Sequence, residues 1–304
     1  MKKKTTIVIA LLALFAIVST NAFGQASDTV KYWKTGGVFS LNVAQSYFSK
    51  WAAGGQESVA LNGLINLSAS YSKDKNAWDN TLTLAYGKMN QKTTGWVKTD
   101  DKIDLLSKYG RQASKAWYYS ALLSFKSQMA AGYNYPNKTD IISNLFSPAY
   151  MLLALGMDYK PVPSFSAFIS PLTAKTTFVV DDALSAAGAF GVDPGKKFRG
   201  EFGAYANLLY KKDEIIKNVN FQSKLDLFTN YLHNPQNIDV SWENLIIMKV
   251  NKFISATVTT NLLYDDDILI NFTDEDGNVT GTGKRVQFKE VIGVGFTYKF
   301  SNQK

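Results

Sequence analysis

The chain has 304 residues, a formal charge of +8, 13% aromatic residues and no cysteine. The missing cysteine excludes disulfides, thiolate metal sites and a lipidated N-terminal cysteine. Dispersed lysines exclude a nucleic-acid surface. No apolar run outside the N-terminus approaches the roughly 20 residues a spanning helix needs.

In chain order, residues 1–24 read as a signal peptide. Lys2, Lys3 and Lys4 precede an uncharged apolar stretch from Ile7 to Val18, and Ala22-Phe23-Gly24 supplies the small-residue pattern before cleavage. Cleavage removes three lysines and no acid, leaving a charge of +5. Residues 25–36 are expected to be a short periplasmic segment, 37–300 a transmembrane β-barrel and 301–304 a C-terminal tail.

From there on, the hydrophobic period is two, the strand period. Val59, Leu61, Ile65, Leu67 and Tyr71 form one face, with Asn62, Asn66, Ser68 and Ser70 between them. Trp117, Tyr119, Ala121, Leu123 and Phe125 oppose Tyr118, Ser120, Ser124 and Lys126; Phe202, Ala204, Ala206 and Leu208 oppose Gly203, Tyr205 and Asn207. The same pattern sets Asn220, Lys224 and Asp226 against Phe221, Leu225 and Leu227, and sets Asn261 against Leu262. At the end, Lys289 lies opposite Phe288, Ile292, Val294, Phe296, Tyr298 and Phe300.

Twelve strands are predicted, at 37–48, 58–72, 78–89, 101–111, 116–128, 149–159, 165–173, 199–211, 218–230, 238–250, 253–265 and 285–300; those at 101–111 and 165–173 alternate least regularly. Ten or fourteen strands remain open alternatives. Most of the twelve reach the 9–11 residues that a tilted strand needs to cross a bilayer. The links alternate in length, with long ones at 49–57, 90–100, 129–148, 174–198, 231–237 and 266–284. That asymmetry is typical of a bacterial outer-membrane barrel with both termini on the periplasmic side. The expected fold is therefore all-β, a single closed antiparallel transmembrane β-barrel of about twelve strands. Its lipid partner is the outer membrane, and Phe296-x-Tyr298-x-Phe300 resembles the C-terminal signal read by the barrel-assembly machinery.

Several stretches resemble an uncharacterised family of Bacteroidetes outer-membrane barrels, DUF3078-like and of unknown function. They are Trp33–Asn42, Trp51–Gly55, Thr99–Leu105, Gly132–Pro136, Ile169–Thr173, Gly188–Lys196, Asn237–Val240 and Tyr264–Asp267. The resemblance implies a membrane barrel in a bacterium with two membranes; the family has no assigned activity, so it carries over no functional residue.

Chemistry-bearing motifs are few. The single histidine, His233, sits in a predicted long link without a nucleophile in a recognisable arrangement, so a solvated loop residue is expected and not a general base. Asp265–Asp267 and Asp274–Asn278 are acidic, but they lack the distant glutamate of a calcium loop and read as turns. Gly188–Gly195 lacks the spacing of a phosphate loop and lies in the longest link, which could fold inward as a constriction. No enzyme activity, cofactor or metal is expected, and no nucleic-acid partner.

The candidate functional residues are those of the inward face: Asn62, Asn66, Lys126, Asn207, Lys224, Asp226, Glu243, Lys249, Asn261 and Lys289. Their lysine excess points to a narrow pore for small polar or anionic solutes. The alternative is a structural or interaction barrel with a packed lumen, acting through its extracellular loops. Interior charges paired at mid-depth would mean a plug; charges standing alone around water would mean a path.

Overall fold

The computed structural model describes residues 32–47, 57–268, 270–273 and 279–302. The signal-peptide reading for 1–24 and the acidic turn at 274–278 lie outside the described residues. The strands are β1 Trp33–Ser46, β2 Ser58–Lys73, β3 Asn76–Gln91, β4 Gly95–Gln112, β5 Trp117–Ser127, β6 Gly132–Tyr133, β7 Ile141–Ser143, β8 Ala149–Val162 and β9 Phe165–Phe178. After a one-turn helix, α1 (Asp182–Ala186), and a 3-10 turn (Ala189–Gly191) come β10 Phe198–Ile216, β11 Val219–Asn230, β12 Asp239–Lys249 and β13 Ile254–Tyr264. The last are β14 Ile270–Thr273, β15 Val279–Gly283 and β16 Gln287–Ser301.

Twelve of these close into an antiparallel barrel in the order β1-β16-β13-β12-β11-β10-β9-β8-β5-β4-β3-β2, and β6–β7 and β14–β15 are separate two-stranded hairpins. All twelve expected strands are present. Because the period is two, closure sends one face of every strand inward and the other outward. β16 shows this directly, with Phe288, Ile292, Val294 and Phe296 exposed and Gln287, Lys289, Val291 and Gly293 half-buried between them. Across the ring, Phe39, Leu41, Leu155, Ile169, Leu172 and Phe202 are likewise exposed apolar residues.

Ladder pairing extends several strands past the alternating stretch that announced them. β1 begins at Trp33, not 37, because Trp33 pairs with Tyr71 and its ring packs 5.2 Å from that of Tyr71 and 5.7 Å from that of Trp78. The expected N-terminal segment 25–36 therefore ends inside the first strand. The expected tail 301–304 likewise begins inside β16, and Asn302 caps β1, accepting from the Thr35 amide and donating to the Trp33 carbonyl. β3 and β4 run on to Gln91↔Gly95, which shortens the expected long link 90–100 to residues 92–94.

Apart from 92–94, the tight turns lie at the end holding both termini: 74–75, 113–116, 163–164, 217–218 and 250–253. Asp74 and Asn218 adopt positive φ there, the left-handed geometry that two-residue hairpins demand and that Asp and Asn tolerate. Aromatic pairs ring the same end: Trp117–Tyr159, Tyr210–Phe221 and Phe253–Phe296. At the opposite end the link between β9 and β10, expected to be the longest, spans residues 179–197, and its Gly191 carbonyl accepts from Arg199. Its Val179, Leu184 and Val192 pack with Ile141, Ala189 and Phe190, so it rests on the β6–β7 hairpin.

Close strand approach depends on glycine at one bulge. A Cβ on Gly203 would lie 1.7 Å from the Thr229 carbonyl oxygen, where the β9–β10 register shifts between Gly203 and Tyr205. Gly203→Ala should therefore destabilise the refolded barrel by about 1–3 kcal/mol, read as a lower urea midpoint of unfolding.

Candidate functional site

The inward face is charged in three tiers, and β4 supplies much of the acid. Asp100, Lys102, Asp104 and Lys108 share the inward side of β4, in register with inward positions of β3 and β5. At mid-depth Lys224 of β11 reaches across the lumen to Asp104 of β4 at 2.5 Å. Lys126 of β5 holds Asp226 of β11 at 2.8 Å, and Lys102 holds Glu243 of β12 at 2.5 Å. Glu243 also faces Lys126 at 3.6 Å and Lys224 at 3.7 Å, so one carboxylate serves three ammonium groups. Asp226 is completed by Tyr205, whose hydroxyl donates at 2.6 Å, and by the Asn207 amide at 2.7 Å. Lys289 of β16 reaches Asp100 at 2.6 Å.

An ion moved into such a setting alone would cost several kcal/mol, so each must meet an opposite charge. Four lysines (102, 126, 224, 289) face four carboxylates (100, 104, 226, 243) in this tier. The lysine excess read from the sequence disappears here, because Asp100 and Asp104 lie on the strand whose alternation was weakest.

Two further tiers flank this one. Toward the short turns, Lys108 contacts Asp158 at 2.9 Å and Lys160 bridges Asp158 and Asp79. Ser166 donates to Asp158 and accepts from Lys108. Toward the long links, Lys175 gathers Asp239 at 2.7 Å, Glu201 at 3.5 Å and Asp265 at 3.7 Å, while Arg199 pairs with Glu201 and Asp267. Beside the mid-depth ions Leu106, Leu122, Leu152, Ala154, Phe168, Tyr205 and Phe228 form a buried apolar cluster inside the lumen, with Phe168 at 0% exposure.

Two cavities of the lumen share no lining residue. The upper one, about 530 Å³, is lined by Lys102, Lys126, Tyr150, Phe228, Glu243, Asn261 and Lys289 among others. The lower one, about 380 Å³, is lined by Asn66, Lys211, Asn220, Gln222, Leu245 and Lys299 among others. On β11, Asp226 and Phe228 belong to the upper cavity and Asn220 and Gln222 to the lower. Lys224 stands between them and lines neither; it is 8% exposed.

Among the residues expected at the site, Lys126, Asn207, Lys224, Asp226 and Glu243 come together at mid-depth. Asn261 and Lys289 line the upper cavity. Asn62 donates weakly to Asp100, at 3.5 Å, and Asn66 donates to Thr83. Lys249 is not part of the cluster; it lies at the short-turn end, 3.7 Å from Glu214. Phe296, Tyr298 and Phe300 are exposed on the outer face of β16. The sequence reading missed Asp100, Lys102, Asp104, Lys108, Asp158, Lys175 and Glu201. The spacing Asp100-x-Lys102-x-Asp104 carries the strand period and could have signalled the first three.

His233 is largely exposed beside Asn234. Asp265, Asp266 and Asp267 are drawn apart to Lys175, Lys284 and Arg199 respectively, which leaves no shared cation site among them. Among the described residues no group of three His, Cys, Asp or Glu is placed to hold a metal ion. The Lys284 ammonium, 2.6 Å away, holds the Asp266 carboxyl below the usual carboxylate range, and Asp266 in turn raises Lys284.

Residues 43–133 match the model of a family described as a protein of unknown function (DUF3078). That match ends at Tyr133, whereas the similar stretches noted in the sequence run on to Asp267. No curated protein matches the chain. Among solved structures, the translocator domain of the autotransporter NalP from Neisseria meningitidis is 10% identical with a TM-score of 0.36, covering 98% of each chain. The COG4313 outer membrane channel from Pseudomonas putida F1 is 10% identical with a TM-score of 0.39, covering 91% of this chain and all of the other. The CymD monoaromatic hydrocarbon channel is 11% identical with a TM-score of 0.33, covering 91% of this chain and 90% of that one.

Glu243→Gln should leave three lysines short of a counter-charge and cost about 3–5 kcal/mol, the range for breaking a buried pair, measured by urea unfolding. At the rim the sign follows from the lowered carboxyl. The Asp266–Lys284 tie is complete above the unfolded carboxylate range and is lost as pH falls through the depressed value. The protection of β15 amides, taken relative to an unstructured chain at the same pH, should therefore fall on strong acidification, and Asp266→Asn should remove that fall.

Proposed function

We propose that the chain is an outer-membrane barrel whose lumen is closed at mid-depth and which works from its long-link end, as a cup and loop surface. The single observation that carries this is Lys224, paired with Asp104 across the lumen and lining neither cavity. Membrane placement is supported by the exposed apolar outer face and by the aromatic pairs at the short-turn end. In hydrocarbon, backbone groups need partners, and ring closure supplies them along almost the whole wall. A net of paired charges with an apolar cluster beside it is the lumen of a plugged barrel, which leaves the upper cavity and its rim as the accessible surface.

A second reading is favoured by the stacking of the two cavities on one set of inward faces: a path for small polar solutes that opens when the Lys224–Asp104 contact breaks. The balance of four lysines against four carboxylates gives such a path no anion preference.

Planar-bilayer recording of the purified, refolded protein separates these readings. The closed cup predicts an electrically silent barrel, and joint replacement Lys224→Ala and Asp104→Ala predicts small stable conductance steps with weak ion selectivity. Steady conductance from the unmodified barrel would overturn the closed-lumen reading.

A further inference from the structure

The ring closes unevenly. β1 and β16 pair only from Gly36↔Ser301 up to Asn42↔Gly295. Above that point both strands continue, β1 to Ser46 and β16 back to Gln287, with no ladder between them among the described residues. Each remains paired on its far side, β1 to β2 over Trp33–Ser46 and β16 to β13 over Gln287–Phe296. The ladder therefore stops at Asn42, and the unladdered stretch above it forms a wedge in the hydrogen bonding of the wall, with Asn42 at its apex.

The apex is built for close contact. A Cβ on Gly295 would lie 2.1 Å from the Leu41 carbonyl oxygen, and one on Gly293 would lie 2.7 Å from the Asn42 side chain. Over this glycine track the Asn42 amide crosses β16 to donate to Thr257 of β13 at 2.9 Å. Below it, the Ser40 and Thr297 hydroxyls meet at 3.1 Å.

The wedge opens at the height of the apolar belt. Val43 on one edge and Phe288, Ile292 and Val294 on the other are exposed apolar residues. Backbone groups along such an edge find no hydrogen-bond partner in hydrocarbon, so bare acyl chains are a poor filling; polar matter must reach them. Glu290 agrees: it is exposed on the outer face between Phe288 and Ile292. The inner side of the same edge is polar as well. Gln287, Phe288 and Lys289 form part of the wall of the upper cavity, and Lys289 pairs with Asp100 on the far side of the wedge.

We propose that the barrel takes up the zwitterionic head of a bilayer amphiphile from the side, through the wedge between β1 and β16, with its hydrocarbon tail left in the membrane. Charge complementarity selects the head. An anionic group meets Lys289, the most exposed mid-depth lysine, and an ammonium group meets Glu290 at the edge or Asp100 and Glu243 within. The proposal rests on the reading of the chain as a membrane barrel with a closed floor, which the conductance record tests by itself.

The protein has no cysteine, so engineered pairs report cleanly. Phe39→Cys with Tyr298→Cys joins a laddered pair and should oxidise readily. Gln45→Cys with Ile292→Cys would be directly opposed if the ladder continued, and should oxidise at least about tenfold more slowly, because a disulfide needs short Cα separation. Equal rates would mean a sealed seam and overturn the proposal. In a second arm, bimane on Asn261→Cys reports the upper cavity and bimane on Gln222→Cys the lower. In phosphatidylcholine vesicles doped with choline-TEMPO phosphatidylcholine, the Asn261 probe should be quenched well above the Gln222 probe, and Lys289→Met should reduce that quenching. Equal quenching at the two sites, or quenching only by soluble TEMPO-choline, would overturn lateral entry.

Discussion

Everything in this molecule follows from the pairing of its first strand with its last. A twelve-stranded sheet left open would present two edges of unpaired amides and carbonyls, and β1 against β16 removes about half of each. Once the ring is closed, the two-residue period is no longer a local preference. It becomes an assignment of every second side chain to an enclosed space and of the others to the outside.

That assignment forces the charge network. Lysines and carboxylates that would be solvated on an open sheet are brought into a lumen narrowed by Phe168, Leu122 and Tyr205. An unpaired ion there is costly, and the same confinement brings ions on opposite walls within reach of each other. Glu243 among three lysines, and Asp226 among Lys126, Tyr205 and Asn207, are products of that confinement. The pairs need not add net stability over an apolar filling; what they add is a specific set of ties between opposite walls. The link after β13 is bound to the wall by the same means, through Asp265 to Lys175 and Asp267 to Arg199.

The seam shows the same constraint relaxed locally. Where Asn42 crosses the glycine track, contact between β1 and β16 is very close, and beyond it their ladder stops. Glycine permits both features, since it lets backbones touch and offers no side chain to zip the next rungs.

Alternation in the sequence made about twelve strands and the two faces of each legible, and most of the contrast between long and short links, because a period of two and a turn signal are local properties of the chain. Strand ends were less legible: β1 gained Trp33 and β4 gained Gly95 through partners far away or across a turn. The inward identity of Lys126, Asn207, Lys224, Asp226 and Glu243 was readable, but their partners were not. Asp104 meets Lys224 across 120 positions of sequence, and Lys289 meets Asp100 across 189. Which wall charge faces which is decided by ring closure and strand stagger, which no single segment contains. Tertiary structure alone therefore turned an apparent lysine excess into a balanced set of ion pairs, since the compensating carboxylates lie on other strands and become neighbours only when the ring shuts.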